Sequence, residues 1–295
     1  MSSHRSPPPL SDVFAPTPIV RLGTRWLNRR YGRPRRRPIV AHPPHPQAMD
    51  VLLHSANAVT LRGWLLRASR NGSPGPAAIV VHGWGGSAAE MLPVARPLLA
   101  AGLDVVLLDA RCHGRSDDAD LTSMPAFAED TQTALDWLHA QPNVDPARIV
   151  LVGHSVGAGA CLLVAARDPS VAGVVSLASM ADPREFMSRV LRRRLPGPLT
   201  TAALRFVEHA IGHRFEDFAP VHTIGRVRAP VLLVHGALDA TVPVADAYRL
   251  KAHARPDTTL VVMPDTDHVT VEALTGLEPT LHDFLNAAGV LTPTD

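Results

Sequence analysis

Aromatic side chains make up only 4% of the 295 residues, too few to support a platform for stacking bases or sugar rings. Cysteine is scarcer still. Cys112 and Cys161 are the whole supply, and neither lies at a metal-ligand spacing, so a disulfide framework and a thiolate metal site are both excluded. Two buried, reduced thiols fit a cytoplasmic compartment. No apolar run reaches the roughly 18 residues a membrane-spanning helix needs. The N-terminal positive charges are not followed by the apolar stretch and small-residue cleavage site of a signal peptide. Charge of one sign is also missing overall, because the chain nets only +2. That figure hides an asymmetry. Residues 1–50 hold nine Arg against Asp12 and Asp50, or +7, which leaves −5 for residues 51–295. A mildly acidic body gives no case for nucleic acid.

What is present is apolar residue in quantity, 46% of the chain, enough for a large core in one α/β domain. The first fifty residues are set apart by ten of the 28 prolines and read as a basic, Pro-rich extension with at most a short helix around 25–31. The preferred reading of this arm is a solvated extension; the alternative is weak peripheral contact with an anionic membrane surface, or docking onto an acidic partner. From residue 51 to about 290 the pattern alternates. Short apolar runs at 51–53, 61–66, 78–81, 104–108, 149–153, 173–177, 231–235 and 260–263 predict strands. Helices are predicted at 88–101, 126–140, 157–167, 245–254 and 279–287. This alternation predicts a mostly parallel twisted sheet with helices on both faces, its first two strands pairing antiparallel at an edge. An exposed edge near 61–66 would permit dimerisation without arguing for it. Between about 180 and 228 the alternation stops, and Pro196 and Pro198 interrupt two or three helices that read as a small cap.

The chemistry is concentrated at strand ends. Gly153-His154-Ser155-Val156-Gly157 follows an apolar run and precedes small residues, the strand, sharp turn and helix of a nucleophile elbow. Downstream, the apolar run 231–235 ends near Asp239, and the run 260–263 is followed by His268. Asp239 competes with Asp246, Asp265 and Asp267 and is preferred for its place after a strand and turn. His82, His113 and His154 sit in turns where an imidazole commonly bonds backbone, so they read as structural. Upstream, Ala78-Ile79-Val80-Val81 feeds the glycine-rich His82-Gly83-Trp84-Gly85-Gly86, a loop whose backbone can approach a developing oxyanion. The N–H groups of Trp84 and Val156 are the candidate donors. Asp109 and Arg111 read as braces of the neighbouring turn.

Nucleophile, acid and base in the order Ser155, Asp239, His268, together with the elbow and the glycine-rich loop, resemble the α/β-hydrolase superfamily over roughly residues 51–290. Residues 105–116 resemble the superfamily's Asp-x-Arg-Gly-His-Gly-x-Ser turn, with Cys112 where a glycine is usual. The loop and the short cap look most like the bacterial esterase and acyl-peptidase-like branch. The resemblance implies an α/β-hydrolase fold with a helical cap. It further implies hydrolysis of a carboxylic ester of a small to medium acyl group through an acyl-enzyme, with no metal or organic cofactor. Trp84 and the cap residues Phe186 and Leu191 are the candidates for the acyl pocket. The cap arginines, Arg189 and Arg192 to Arg194, read as a solvated face. A peptidase or acyltransferase on the same scaffold is the nearer rival, and a non-catalytic binding module tethered by the arm is the farther one.

Overall fold

A computed structural model describes residues 33–36, 45–55, 58–69, 74–268 and 276–291. The helix expected around 25–31 lies outside the described residues.

The strands are β1 (Met49–His54), β2 (Thr60–Leu66), β3 (Gly75–Val81), β4 (Asp104–Asp109), β5 (Val144–His154), β6 (Gly173–Leu177), β7 (Val231–Gly236) and β8 (Thr259–Met263). They form one eight-stranded sheet in the order β1-β2-β4-β3-β5-β6-β7-β8. β2 runs antiparallel to β1 and β4, and every other pairing is parallel. The expected antiparallel pair is there, but its second member is not an edge. β2 lies between β1 and β4, which corrects the expectation of an exposed strand at 61–66. The reason is pairing: residues 60–65 of β2 pair with β1 and residues 62–66 with β4, so both of its hydrogen-bonding sides are taken, while Leu61, Trp64, Leu65 and Leu66 are buried against the helices. The edge on this side of the sheet is β1, with Leu52 half exposed.

The central strands read as continuous apolar runs because helices cover both sides. Ile79, Val81, Leu108, Ile149, Leu151 and Leu233 belong to one core, packed by α2 (Met124–His139), α3 (Val156–Ala165) and α8 (Ala245–His253). Their chain neighbours Val80, Leu107, Val150, Val152 and Leu232 belong to the other, packed by α1 (Leu92–Ala100) and α9 (Glu278–Ala287). This strict alternation is the period-two geometry of a pleated strand. The helix expected at 88–101 divides into a 3-10 turn over Ala88–Met91 and α1, where Pro93 at the start lacks the N–H that the first turn leaves unbonded.

Between β6 and β7, the segment expected to form a cap consists of α4 (Pro183–Arg192), α5 (Gly197–Ile211), the short α6 (Phe215–Phe218) and α7 (Pro220–Thr223), and a 3-10 turn at Ile224–Arg226. Asp182 caps α4 by accepting from the N–H groups of Arg184 and Glu185. Strand order reverses between β3 and β5, whose neighbours β4 and β6 lie on opposite sides. In open parallel sheets such a switch point opens a crevice beyond the strand carboxyl ends, and it is there that the sequence motifs meet.

Candidate active site

The elbow joins β5 to α3. Ser155 has φ 54° and ψ −116°, a region that a side chain rarely adopts. Such a conformation costs on the order of 1–3 kcal/mol and persists only where the surroundings enforce it. They do so here by close packing. A Cβ at Gly153 would collide with the backbone of Gly157, and one at Gly157 would stand 2.5 Å from the His82 carbonyl oxygen and 2.6 Å from that of Val81. Strand and helix pass at a separation only glycine allows. The Ser155 N–H donates to the Leu177 carbonyl at 2.8 Å, tying the turn to β6.

Asp239 follows β7. Its Oδ1 accepts from the N–H groups of Thr241 at 2.9 Å and Val242 at 2.7 Å. Its Oδ2 lies 2.7 Å from His268 Nδ1 and 3.3 Å from His235 Nε2. Burial alone would raise this carboxyl's pKa. Hydrogen bonds from His235, His268 and the Val242 N–H outweigh burial and hold it well below the usual carboxylate range. An ionised Asp239 requires the proton on His268 Nδ1, so Nε2 carries the free lone pair. That nitrogen lies 3.1 Å from Ser155 Oγ. The geometry therefore brings together all three residues singled out in the sequence, within a hydrogen-bonded chain from a buried carboxylate to a hydroxyl. The competing Asp246 is occupied elsewhere, accepting from the Ala181 N–H at 3.1 Å.

The loop bearing His268 is fixed from two sides. The Leu238 N–H donates to the Thr266 carbonyl at 3.0 Å. His154 Nε2 donates to the His268 carbonyl at 2.8 Å, with the two rings 5.1 Å apart. Burial lowers the His154 pKa to about 4, so this ring stays neutral. Its contact with the His268 loop spans 114 positions of sequence, and no local pattern announces it.

The glycine-rich loop after β3 lies against the nucleophile, since a Cβ on Gly83 would stand 3.3 Å from that of Ser155. The loop is tied to the turn after β4 at three points. The Ala110 N–H donates to His82 Nε2 at 3.1 Å, the Gly85 N–H donates to His113 Nε2 at 3.0 Å, and the Ala88 N–H donates to Asp109 Oδ1 at 2.7 Å. Each histidine donates from Nδ1 as well, His82 to the Gly83 carbonyl and His113 to that of Arg111. Burial drives both toward neutrality, lowering His82 to about 4 and His113 to about 3. A neutral ring is what these positions need, because a protonated one cannot accept from Ala110 or Gly85. Asp109 and Arg111 brace the turn as expected: Asp109 also accepts from the Arg115 N–H, and Arg111 pairs with buried Asp130 at 2.6 Å. Cys112 has φ 64°, so the turn keeps the left-handed backbone suited to glycine while carrying a side chain, at about 1–2 kcal/mol. The Ala119 N–H reaches its buried sulfur at 3.2 Å.

Trp84 is 47% exposed, its ring edge-on to His113 at 5.8 Å. The backbone N–H of Val156 begins α3, where a helix start leaves N–H groups free to bind negative charge. Phe186 and Leu191 of α4 are partly buried and pack against the core cluster that contains Val156. Cys112 and Cys161 are buried free thiols. Among the described residues no group of three or more His, Cys, Asp or Glu could hold a metal ion, and no helix is long and apolar enough to cross a membrane.

Two arginines of the arm depart from the expectation of a solvated extension. Arg33 pairs with Asp118 at 3.2 Å and Arg36 with the same carboxylate at 2.7 Å.

Comparison with known proteins agrees with this fold. Residues 72–214 match the family described as Serine aminopeptidase, S33. The uncharacterized protein Rv2307c of Mycobacterium tuberculosis is 30% identical over 249 residues, 83% of this chain and 82% of the relative. Polyketide transferase ATR5 of Stachybotrys chlorohalonatus is 35% identical over 139 residues, 45% of each chain. Among solved structures, the Pyrococcus furiosus esterase Pf2001 superposes with a TM-score of 0.67 at 23% identity, over 86% of this chain and 97% of that one, a likeness of fold. With its sheet order, elbow and relatives taken together, the chain belongs to the α/β-hydrolase superfamily.

Proposed function

We propose that this protein is a serine hydrolase that cleaves carboxylic esters of small to medium acyl groups. The observation carrying the proposal is the unbroken bond chain Ser155 Oγ, His268 Nε2, His268 Nδ1, Asp239 Oδ2, at 3.1 Å and 2.7 Å. His268 takes the Ser155 proton as Oγ attacks the carbonyl carbon, and Asp239 holds the ring and stabilises the imidazolium that forms. The N–H groups of Trp84 and Val156 receive the oxyanion; losing one such donor typically costs about 100- to 1,000-fold in turnover. On collapse, His268 gives its proton to the leaving alkoxide. Water then attacks the acyl-Ser155 ester with His268 again as base, releasing the acid and restoring the hydroxyl. Trp84, Phe186 and Leu191 line the acyl side, where one methylene more or less changes the transition-state energy by about 1–3 kcal/mol.

The test is hydrolysis of p-nitrophenyl esters of rising acyl length by the wild type and Ser155→Ala. Wild-type turnover with a chain-length optimum, reduced by roughly 10⁵-fold or more in Ser155→Ala, is the expected result. Turnover that survives the substitution removes Ser155 from the mechanism. The second reading is attack on an amide, or acyl transfer to an added alcohol or thiol. The matched family's description as an aminopeptidase and the partial match to a polyketide transferase support it. Turnover of aminoacyl amides in preference to esters, or partition of the acyl group to an added thiol over water, would favour it.

A further inference from the structure

The glycine-rich loop is not held by its own strand alone. Its three ties, at His82, Gly85 and Ala88, end on Ala110, His113 and Asp109, at the end of β4 and in the turn that follows it. The loop can be no better placed than that turn, yet the turn is difficult backbone. Cys112 and Gly114 both have positive φ, at 64° and 44°. Three of its carbonyls, those of His113, Gly114 and Ser116, take a donor from outside the turn.

Those donors come from the N-terminal arm. Arg36 Nη1 donates to the Gly114 carbonyl at 2.5 Å and to that of His113 at 3.3 Å. Its Nη2 donates to the Ser116 carbonyl at 2.6 Å and to Asp118 Oδ1 at 2.7 Å. One planar guanidinium thus gathers three carbonyls of the turn, those of His113, Gly114 and Ser116, and a carboxylate, a use of fixed fork geometry that a lysine cannot reproduce. Arg33 holds the other oxygen of Asp118 at 3.2 Å. Between the two arginines, Pro34 lies beside the loop itself, 3.9 Å from where a Cβ on Gly85 would stand. The arm therefore meets the loop directly at Gly85 and indirectly through the turn.

We infer that Arg36 is a positioning residue for the oxyanion loop. It clamps the 113–116 turn, the turn sets the His113 ring, and that ring holds the Gly85 N–H next to the Trp84 donor. The arm is, on this account, part of the catalytic framework. The inference rests on the proposed role of the Trp84 N–H, but the coupling from arm to loop has a readout of its own.

The experiment compares full-length wild type, Arg36→Ala and Arg36→Lys by hydrogen exchange of the segment 82–88, with 149–165 as reference, and by ester kinetics. In Arg36→Ala, exchange in 82–88 should quicken by about tenfold or more while 149–165 stays protected. The kcat should fall by about tenfold with KM changed by less than about twofold, since the lost interaction is made in the transition state. Arg36→Lys, keeping the charge without the fork, should recover only part of either effect. Unchanged exchange in 82–88 overturns the inference, as does a rise matched in 149–165, which marks general loosening. Quickened exchange with an unchanged kcat also overturns it. A wild type that hydrolyses no ester would end the ester reading, while the exchange comparison still decides whether Arg36 holds the loop.

Discussion

The strand-end site and the helical segment between β6 and β7 are built by opposite rules. At the site, backbone decides everything: Ser155 is forced to φ 54°, Gly153 and Gly157 admit no side chain, and the buried imidazoles of His82, His113 and His154 each bond backbone. In the segment between β6 and β7, one set of side chains packs on the core, Leu204, Phe215 and Phe218 among them, and another faces solvent. Residues 186–207 hold five arginines and no Asp or Glu, and Val190, Leu199 and Phe206 are exposed. The difference teaches where each property of a hydrolase is stored. The bond-making geometry sits in packed backbone that tolerates no change. On the proposed function, substrate choice would be left to exposed side chains that can be exchanged at small cost to the fold.

The contrast should break most violently at Gly157. Ala at this position places a methyl against the Val81 and His82 carbonyls, so strand and helix must separate. The expected loss is about 2–4 kcal/mol of stability and nearly all ester turnover, read from urea midpoints and kinetics. A fully active, equally stable Gly157→Ala would show that the elbow is looser than its geometry requires.

Acid should come next, because the site's neutral histidines have pKa values of about 4, 3 and 4 for His82, His113 and His154 against 6.5 in the unfolded chain. Between these limits the unfolded chain binds more protons, so stability rises with pH there. It is complete above 6.5 and is lost progressively as pH falls toward 4. Urea midpoints at about pH 7.5, 5.5 and 4.5 should fall in that order, and identical midpoints would mean that these rings are not held neutral.

The smallest effect belongs to the cap. Leu199→Ser should leave stability within about 0.5 kcal/mol of wild type. Phe186→Ala, at a half-buried position, should shift the ester chain-length optimum while changing turnover of the shortest ester by less than about threefold. A collapse of all activity in Phe186→Ala would place the cap among the rigid parts of the molecule.

How much of this was legible from residues alone follows the same division. The β6 limits, residues 173–177, were readable outright, because a buried parallel strand is a continuous apolar run closed by turn residues. Ser155, Asp239 and His268 were readable because each follows such a run and the chain order restricts the choice. The inside position of β2 was not, since an apolar strand covered on both faces differs from an edge strand only in which neighbours it meets. The left-handed Cys112 was visible only as a departure from a motif, and its backbone angle depends on the fold. Arg36 was counted among the basic residues of a solvated arm, because its partners lie about 80 positions away. No local rule connects a guanidinium to carbonyls at that distance.

The measurement that tests the central claim most directly is reaction with a fluorophosphonate followed by peptide mapping, on wild type and Ser155→Ala. A single phosphonyl adduct on Ser155 in the wild type, and none in the variant, is the result predicted by a serine activated through His268 and Asp239. An adduct on another residue, or no adduct on a folded wild type, would contradict it.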